Sequence, residues 1–445
     1  MNINLNFLSQ ELIFLKKNYK RTEVNVEYKF SKYNINFEYN HCIYVFNTYS
    51  NSLCSFEKSE YKKIFEDGVF DSNKLNNLYN QGFIVNSSIN EFNKIQFDQN
   101  YYKFNNNHTL HIVFAPTASC NLKCNYCFQE NNNINFQKKL TKENILNFII
   151  SSVKKLNIKK LKIQWFGGEP MLEFSMICDL SKEILDYCDK NNIEYYSTMI
   201  SNGTLINEAK LKDLIRCGIK KIQITLDGCE NAYCKYKNAT SIQYKHLLNI
   251  LPIISNYINL SLRLNCDRKN YDDIKRLCRN ELKAVISKKN TFAYLGRIER
   301  SISDPYFKDC YSVEEFNSIK LDFHNFLTSL GVDNTQIPIK KKLYCGFKSL
   351  FCFGIDRQGY IYNCEREIGN VEKSVGHIES GLNFTDEYLN FVLNNSIQED
   401  CIKCVYYPMC LGGCPQNIIS KKKDCQITYD LLISKLKNKI DLLNN

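Results

Sequence analysis

From residue 108 onward the chain alternates six times between two kinds of segment. Short apolar stretches lie at 110–116, 161–166, 195–200, 219–226, 258–264 and 291–296. Longer stretches at 141–157, 173–190, 207–216, 241–255 and 270–285, with one more at 313–330, carry apolar residues at helical spacing. Strands apolar along their whole length are buried on both faces, and parallel neighbours need crossovers long enough to hold a helix. Six such units therefore predict a parallel sheet with helical crossovers. The run is about 220 residues, slightly short of the eight units of a closed barrel. An α/β fold with a partial (β/α)6 TIM-like barrel is expected.

Cysteine decides what sits on that scaffold. Of 445 residues, 21 are cysteine. Disulfide scaffolds this rich are usually short secreted chains, whereas a long cytosolic chain clusters its reduced cysteines on metal. Ten lie singly, Cys42, Cys178 and Cys266 among them, and most of these are expected to pack as small hydrophobes. The other eleven form two groups, Cys120 to Cys127 and Cys345 to Cys425. The chain is 44% hydrophobic and 24% charged, which excludes disorder, collagen and coiled coil as whole-chain descriptions. No apolar run reaches membrane-spanning length. Gln10, Glu11 and two lysines break the apolar N-terminal stretch, which makes a poor signal peptide. A cytoplasmic protein without a membrane partner is expected. The net charge of +11 is not organised into basic stripes interleaved with aromatics, so no nucleic-acid partner is expected.

Residues 1–105 read as a separate module. The segment 41–57 has strand composition on both sides of an Asn/Ser turn and predicts a hairpin. Helical stretches follow near 58–66 and 72–81, Gly82 ends the second, and 83–85 returns to strand. Residues 86–107 are polar and Asn-rich and are expected to be a linker. The barrel then occupies 106–330. Residues 331–445 are a turn-rich, Cys-rich domain with a closing helix at 427–441.

Cys120, Cys124 and Cys127 follow the first barrel strand with C-x3-C-x2-C spacing. Parallel β/α folds place their chemistry at the C-terminal ends of strands. Three thiolates on one loop hold three corners of a cubane iron–sulfur cluster and leave one iron open. They do not complete the four-sulfur set of structural zinc. Gly167-Gly168-Glu169-Pro170 follows the second strand, Ser201-Asn202-Gly203-Thr204 the third, and Leu226-Asp227-Gly228 the fourth, with Gln223 and Thr225 just before it. In this order, one set per strand end, the sequence resembles the radical S-adenosylmethionine (SAM) superfamily over roughly residues 108–330. The resemblance implies that Gly167, Gly168, Glu169 and Pro170 form its GGEP motif, with Glu169 facing the methionyl ammonium. It implies that Ser201, Asn202, Gln223, Thr225 and Asp227 hydrogen-bond the ribose. Arg263 is a candidate for the methionyl carboxylate, and Tyr126 stands where the family packs the adenine.

The second group is Cys345, Cys352, Cys364, Cys401, Cys404, Cys410, Cys414 and Cys425. Its spacing is C-x13-G-x4-C from Cys345 through Gly359, then C-x2-C-x5-C-x3-C, then C-x10-C. This resembles the SPASM extension of peptide-modifying radical enzymes, which implies two auxiliary [4Fe–4S] clusters and three in all. The family's interleaved ligation gives Cys345, Cys352, Cys364 and Cys414 to the first and Cys401, Cys404, Cys410 and Cys425 to the second. Two four-cysteine zinc sites are the alternative on spacing alone. Glu365 stands where related anaerobic sulfatase-maturing enzymes have an aspartate base, and is a candidate catalytic base.

The resemblance implies reductive cleavage of SAM and hydrogen abstraction from a substrate by a 5′-deoxyadenosyl radical. It points to a maturase of a ribosomally made precursor peptide, forming a thioether or related cross-link as sactipeptide and ranthipeptide synthases do. The N-terminal module resembles the winged-helix-like element that binds a leader peptide by strand addition, on the segments YVFN (44–47) and QGFIV (81–85). A flavodoxin or ferredoxin is the expected electron donor. A formylglycine-generating sulfatase maturase is the enzymatic rival. A zinc-binding interaction module with a degenerate barrel is the rival from another class.

Overall fold

The computed structural model describes residues 27–105, 108–129, 140–300, 303–334, 336–393, 397–419 and 425–444. The N-terminal stretch weighed as a signal peptide lies outside them. Two compact units are present, Met1–Lys94 and Ile95–Asn445.

In the first unit, strand β1 (Tyr28–Phe30) pairs antiparallel with β5 (Ile84–Asn86). Strands β2 (Asn34–Tyr39), β3 (Cys42–Asn47) and β4 (Leu53–Glu57) form an antiparallel meander with β3 in the centre. Asn40 and His41 both have positive φ, 48° and 65°, as the tightest two-residue hairpin turn requires. The hairpin expected at 41–57 is β3–β4, and the Asn47 side chain shapes its turn by accepting from the amides of Tyr49 and Ser50. Asp71 caps the helix Ser72–Asn80 by accepting from Lys74 N. Val45, Phe56, Ile64, Leu78, Phe83 and Ile84 form the core.

The linker expected over 86–107 is corrected. Glu91–Phe104 is a helix of 14 residues. Its buried positions are Glu91, Ile95, Gln99 and Lys103, one per turn. Three of the four are polar, so hydrophobic periodicity carries no trace of the stripe.

The second unit is built on strands β6 (Thr109–Ala115), β7 (Lys160–Trp165), β8 (Glu194–Ser201), β9 (Ile219–Leu226), β10 (Asn259–Cys266) and β11 (Thr291–Arg297). They are parallel neighbours in sequence order. One set of alternate residues, such as Leu161, Ile163 and Trp165 of β7, joins Ile145, Leu180 and Ile184 of the helices in one continuous core. The other set, including Gln164, Gln223, Thr225 and Arg263, faces the lumen. Among the described residues no helix is long and apolar enough to cross a membrane.

The sheet does not stop at β6. Strands β12 (Cys352–Asp356), β13 (Tyr360–Tyr362), β14 (Gly376–His377) and β15 (Gly381–Leu382) extend it to ten strands, in the order β11-β10-β9-β8-β7-β6-β12-β13-β14-β15. β12 is parallel to β6, with Cys352 opposite His111 and Asp356 opposite Ala115. Strand pairing thus crosses the expected boundary near residue 330. The β12–β13 hairpin turns on Asp356, which is fully buried. One of its oxygens accepts from the amides of Gln358, Gly359 and Tyr360, and the other from the Tyr362 hydroxyl at 2.7 Å. Asp356→Ala removes the side-chain acceptor of four donors, two of them buried, so we expect a loss of about 3 kcal/mol in urea unfolding of the anaerobic protein.

Candidate active site

The cysteine loop leaves β6 through residues 116–119 and is held by three neighbours. The first is the loop after β7. Gly168 N donates to Thr117 O at 3.1 Å and Glu169 N to Ser119 O at 2.9 Å. A Cβ on Gly167 would lie 2.3 Å from Thr117 O, and one on Gly168 2.3 Å from Ser119 O. The close approach these glycines permit is therefore to the backbone of the cysteine loop itself. The second neighbour is the helix Glu230–Lys237, whose final carbonyls accept from the loop. Asn125 N donates to Tyr236 O (2.9 Å) and Lys123 N to Lys237 O (3.3 Å). The third is Arg300, which donates to Asn125 O and Oδ1 at 2.7 and 2.9 Å.

Glu169 is fully buried at the start of a short 3₁₀ turn that opens with Pro170. Its carboxylate accepts from Met171 N (3.0 Å), Ser201 Oγ (2.8 Å) and Asn202 N (2.7 Å). Burial pushes its pKa up, and these hydrogen bonds pull against that. Asn202 reaches the cysteine loop, donating to Asn121 Oδ1 at 2.8 Å and lying 3.7 Å from Cys120 Sγ. Glu169, Ser201 and Asn202 therefore clamp the ends of β7 and β8 to the loop.

Around Tyr126 lies a buried polar network. Its hydroxyl donates to Asp227 Oδ2 (2.6 Å) and accepts from Lys237 Nζ (3.1 Å) and Asn265 Nδ2 (3.0 Å). Lys237 Nζ also donates to Thr225 Oγ1 at 2.7 Å and lies 3.5 Å from Asp227 Oδ2. Asp227 Oδ1 is buried without a hydrogen-bond partner among the described residues. Lys237 and Asn265 are absent from the sequence-derived site. The signal was available in the stretch ENAYCKYKN (230–238). Glu230 stands in its first helical turn, and Asn238 ends it at φ +50°.

In the lumen, Gln223 accepts from the Tyr294 hydroxyl at 2.9 Å, and Arg263 Nε donates to Asn265 Oδ1 at 2.9 Å. Glu365 enters the same space, against Gln164 of β7 and Arg263 of β10. Burial raises its pKa, with Arg263 opposing. The next residue, Arg366, bonds Glu299 beyond the end of β11 at 2.9 Å. Its guanidinium sits 5.6 Å from the ring centroid of Phe128, the residue after Cys127.

The thiols of Cys120, Cys124 and Cys127 are close enough to perturb one another. Burial pushes Cys124 up to about 11. Cys345 is pushed up to about 12, by burial first, and feels Cys364 and Cys414; Cys352, raised well above an ordinary thiol, feels Cys345. Cys352 Sγ lies 3.5 Å from His111 Nδ1. Cys410 is raised to about 11 by burial and feels Cys425 and Cys401. Cys404 follows Cys401 at the end of the helix Glu399–Lys403. Cys345 thus lies near Cys352, Cys364 and Cys414, Cys410 lies near Cys401 and Cys425, and Cys404 N donates to Cys401 O at 3.3 Å. Among the described residues no three Cys, His, Asp or Glu side chains converge as ligands of a single ion.

The Radical SAM superfamily model matches residues 114–280, from the end of β6 to the helix after β10. The chain belongs to the radical SAM superfamily. An uncharacterized protein of Methanocaldococcus jannaschii is 36% identical over 266 residues, covering 57% of this chain and 84% of that one. The radical SAM cyclopropyl synthase TigE of Paramaledivibacter caminithermalis is 23% identical over 88% of this chain and 92% of its own. A cysteine-type anaerobic sulfatase-maturating enzyme of Clostridium novyi is 24% identical over 69% of this chain and 88% of its own. Among solved structures, Streptococcus suis SuiB bound to precursor peptide SuiA matches in fold with a TM-score of 0.52 and 15% identity, covering 91% of this chain and 100% of that one. Native anSMEcpe with bound AdoMet and Cp18Cys peptide matches with a TM-score of 0.54 and 16% identity, covering 76% and 99%.

This is therefore a radical SAM enzyme, and the zinc-binding interaction module is set aside. The radical SAM fold binds SAM and a [4Fe–4S] cluster, and the residues present fit both. Three thiols share one loop anchored on all sides, and releasing their protons to a metal is how such sites fill. The unpartnered Asp227 Oδ1 is an acceptor still open to a donor.

Proposed function

We propose that this radical SAM enzyme is a maturase that oxidises a ribosomally made precursor peptide, joining a cysteine sulfur to a carbon or making a related cross-link. The observation that carries the reading is the contact of Arg366 with Phe128. It brings Cys364, of the second cysteine group, within two residues of a contact that touches the neighbour of Cys127. Bond formation by a substrate radical leaves one electron to remove, and a second cysteine site beside the first supplies an acceptor. The relationship to TigE and the fold match to peptide-bound SuiB support the same reading.

In this reading Cys120, Cys124 and Cys127 hold the cluster that cleaves SAM. Cys345, Cys352, Cys364 and Cys414 hold one auxiliary [4Fe–4S] cluster, and Cys401, Cys404, Cys410 and Cys425 the other. Bound there, these groups supply the radical and the electron sink. The chain's own residues orient the reactants. Asp227 and Thr225 present polar atoms for a ribose, and Arg263 and Glu365 face each other across the space a side chain would enter. Residues 1–105 bind the leader. Because β3 is the central strand, YVFN (44–47) is already paired on both sides. The leader strand is therefore assigned to an edge such as β5, which carries Ile84 and Val85 of the QGFIV segment. A flavodoxin or ferredoxin feeds the electron.

A second reading, formylglycine formation, has its own observation in Glu365, which projects into the lumen where a base must act. One experiment separates them. The anaerobically reconstituted enzyme is given SAM, reductant and a Cys-containing precursor peptide, and the product is weighed. Loss of two hydrogens with sulfur retained and no free thiol supports the cross-link. Loss of sulfur establishes the sulfatase-maturase reading, and 5′-deoxyadenosine without peptide change overturns the choice of substrate class.

A further inference from the structure

We propose that Lys237 is a positioning residue for the radical-generating step, its charge keeping the cysteine-loop cluster reducible. Lys237 is 2% exposed. It is the last residue of the helix Glu230–Lys237, and its carbonyl and that of Tyr236 accept from the cysteine loop. The helix therefore points its C-terminal, partially negative end at the loop. Reduction adds a further negative charge to a site that already collects three thiolates, with the carboxylates of Glu169 and Asp227 behind them. Every one of those charges disfavours the incoming electron.

Lys237 folds back against that accumulation. Its Nζ touches Tyr126 OH, Thr225 Oγ1 and Asp227 Oδ2, and it lies 5.7 Å from the centroid of the Tyr126 ring. Tyr126 sits between the second and third cysteines. The charge acts through a buried, weakly screened path. A lysine needed only to satisfy Asp227 would leave the redox properties of the cluster alone. One that also bonds Tyr126, which stands between the second and third cysteines in the chain, shifts them.

The inference rests on Cys120, Cys124 and Cys127 as cluster ligands. The test is an anaerobic dithionite titration of the reconstituted full chain, followed by the electron paramagnetic resonance signal that shifts when SAM is added. The Cys120/Cys124/Cys127→Ala variant is the blank. Persistence of the SAM-responsive signal there would refute the ligand assignment itself, separately from the role of Lys237. In Lys237→Met, with iron content unchanged, the equilibrium constant for one-electron reduction should fall tenfold or more, which is 59 mV. Lys237→Gln replaces it if the Met variant does not load iron. Lys237→Arg should stay within threefold of wild type. Asp227→Asn should shift the equilibrium the opposite way. An unchanged constant in the neutral variants, or shifts of the same sign in Lys237→Met and Asp227→Asn, overturns the proposal.

Discussion

Replacing Cys120, Cys124 and Cys127 together by alanine should abolish 5′-deoxyadenosine formation and lower the iron content from about 12 to about 8 atoms per chain. The fold should survive. The loop is tied down by backbone and side-chain hydrogen bonds to Tyr236, Lys237, Arg300 and the Gly168-Glu169 amides, and none of these uses a cysteine sulfur. Cys120 is itself exposed. Thermal unfolding of the metal-free proteins should therefore differ little between variant and wild type. A loss of all iron would show that the second cysteine group depends on the first. A starting content of about 4 iron with zinc beside it would replace the auxiliary clusters and, with them, the proposed electron acceptor.

Gly168→Ala should disrupt the site with a single methyl group. The new carbon would lie 2.3 Å from Ser119 O, 2.4 Å from Ala118 O and 2.6 Å from Ser119 C. All three are backbone atoms of the segment leading into Cys120, so none can rotate aside. The two loops must separate, breaking the amide bonds from Gly168 and Glu169 that join them. We expect a loss of more than about 3 kcal/mol together with failure to load the SAM cluster, read as about 4 iron atoms missing. Gly331→Ala is the control. That glycine has positive φ, +75°, unlike Gly168, yet nothing lies within 4 Å of its Cβ position. Its cost should be only the backbone strain of about 1 kcal/mol, with iron unchanged. A Gly168→Ala protein with full iron content would show that the two loops are not packed as described.

The barrel was legible because each strand carries a row of buried apolar residues and its helices are long. All six strands begin or end within two residues of the apolar runs that announced them, as β9 does at Ile219–Leu226. What escaped was short or polar. Strands β14 and β15 have two residues each, too few for any periodicity. The helix Glu91–Phe104 buries a glutamate, a glutamine and a lysine, and so reads as a linker. The helix Glu230–Lys237 spans barely two turns and carries two lysines on its last three residues. At the site, motif spacing located the residues but not their partners. Glu169 and Asn202 turn out to hold the loop together, and Tyr126 is fixed through its hydroxyl. Lys237 belongs to no motif. It becomes visible only when a helix C-terminus is found against the cysteine loop.

The pairing of β12 with β6 has a consequence for electron tunnelling, which decays steeply with distance. Cys352 is locked in register with His111, and the cysteine loop departs from the other end of the same strand, after Ala115. Those two points are four residues apart, about 13 Å along a strand. The separation is set by the pleat of one buried strand, with no hinge in it. Substrates of different length can come and go, but in the proposed reading the start of the cysteine loop and Cys352 keep one spacing, ruled off by the sheet itself.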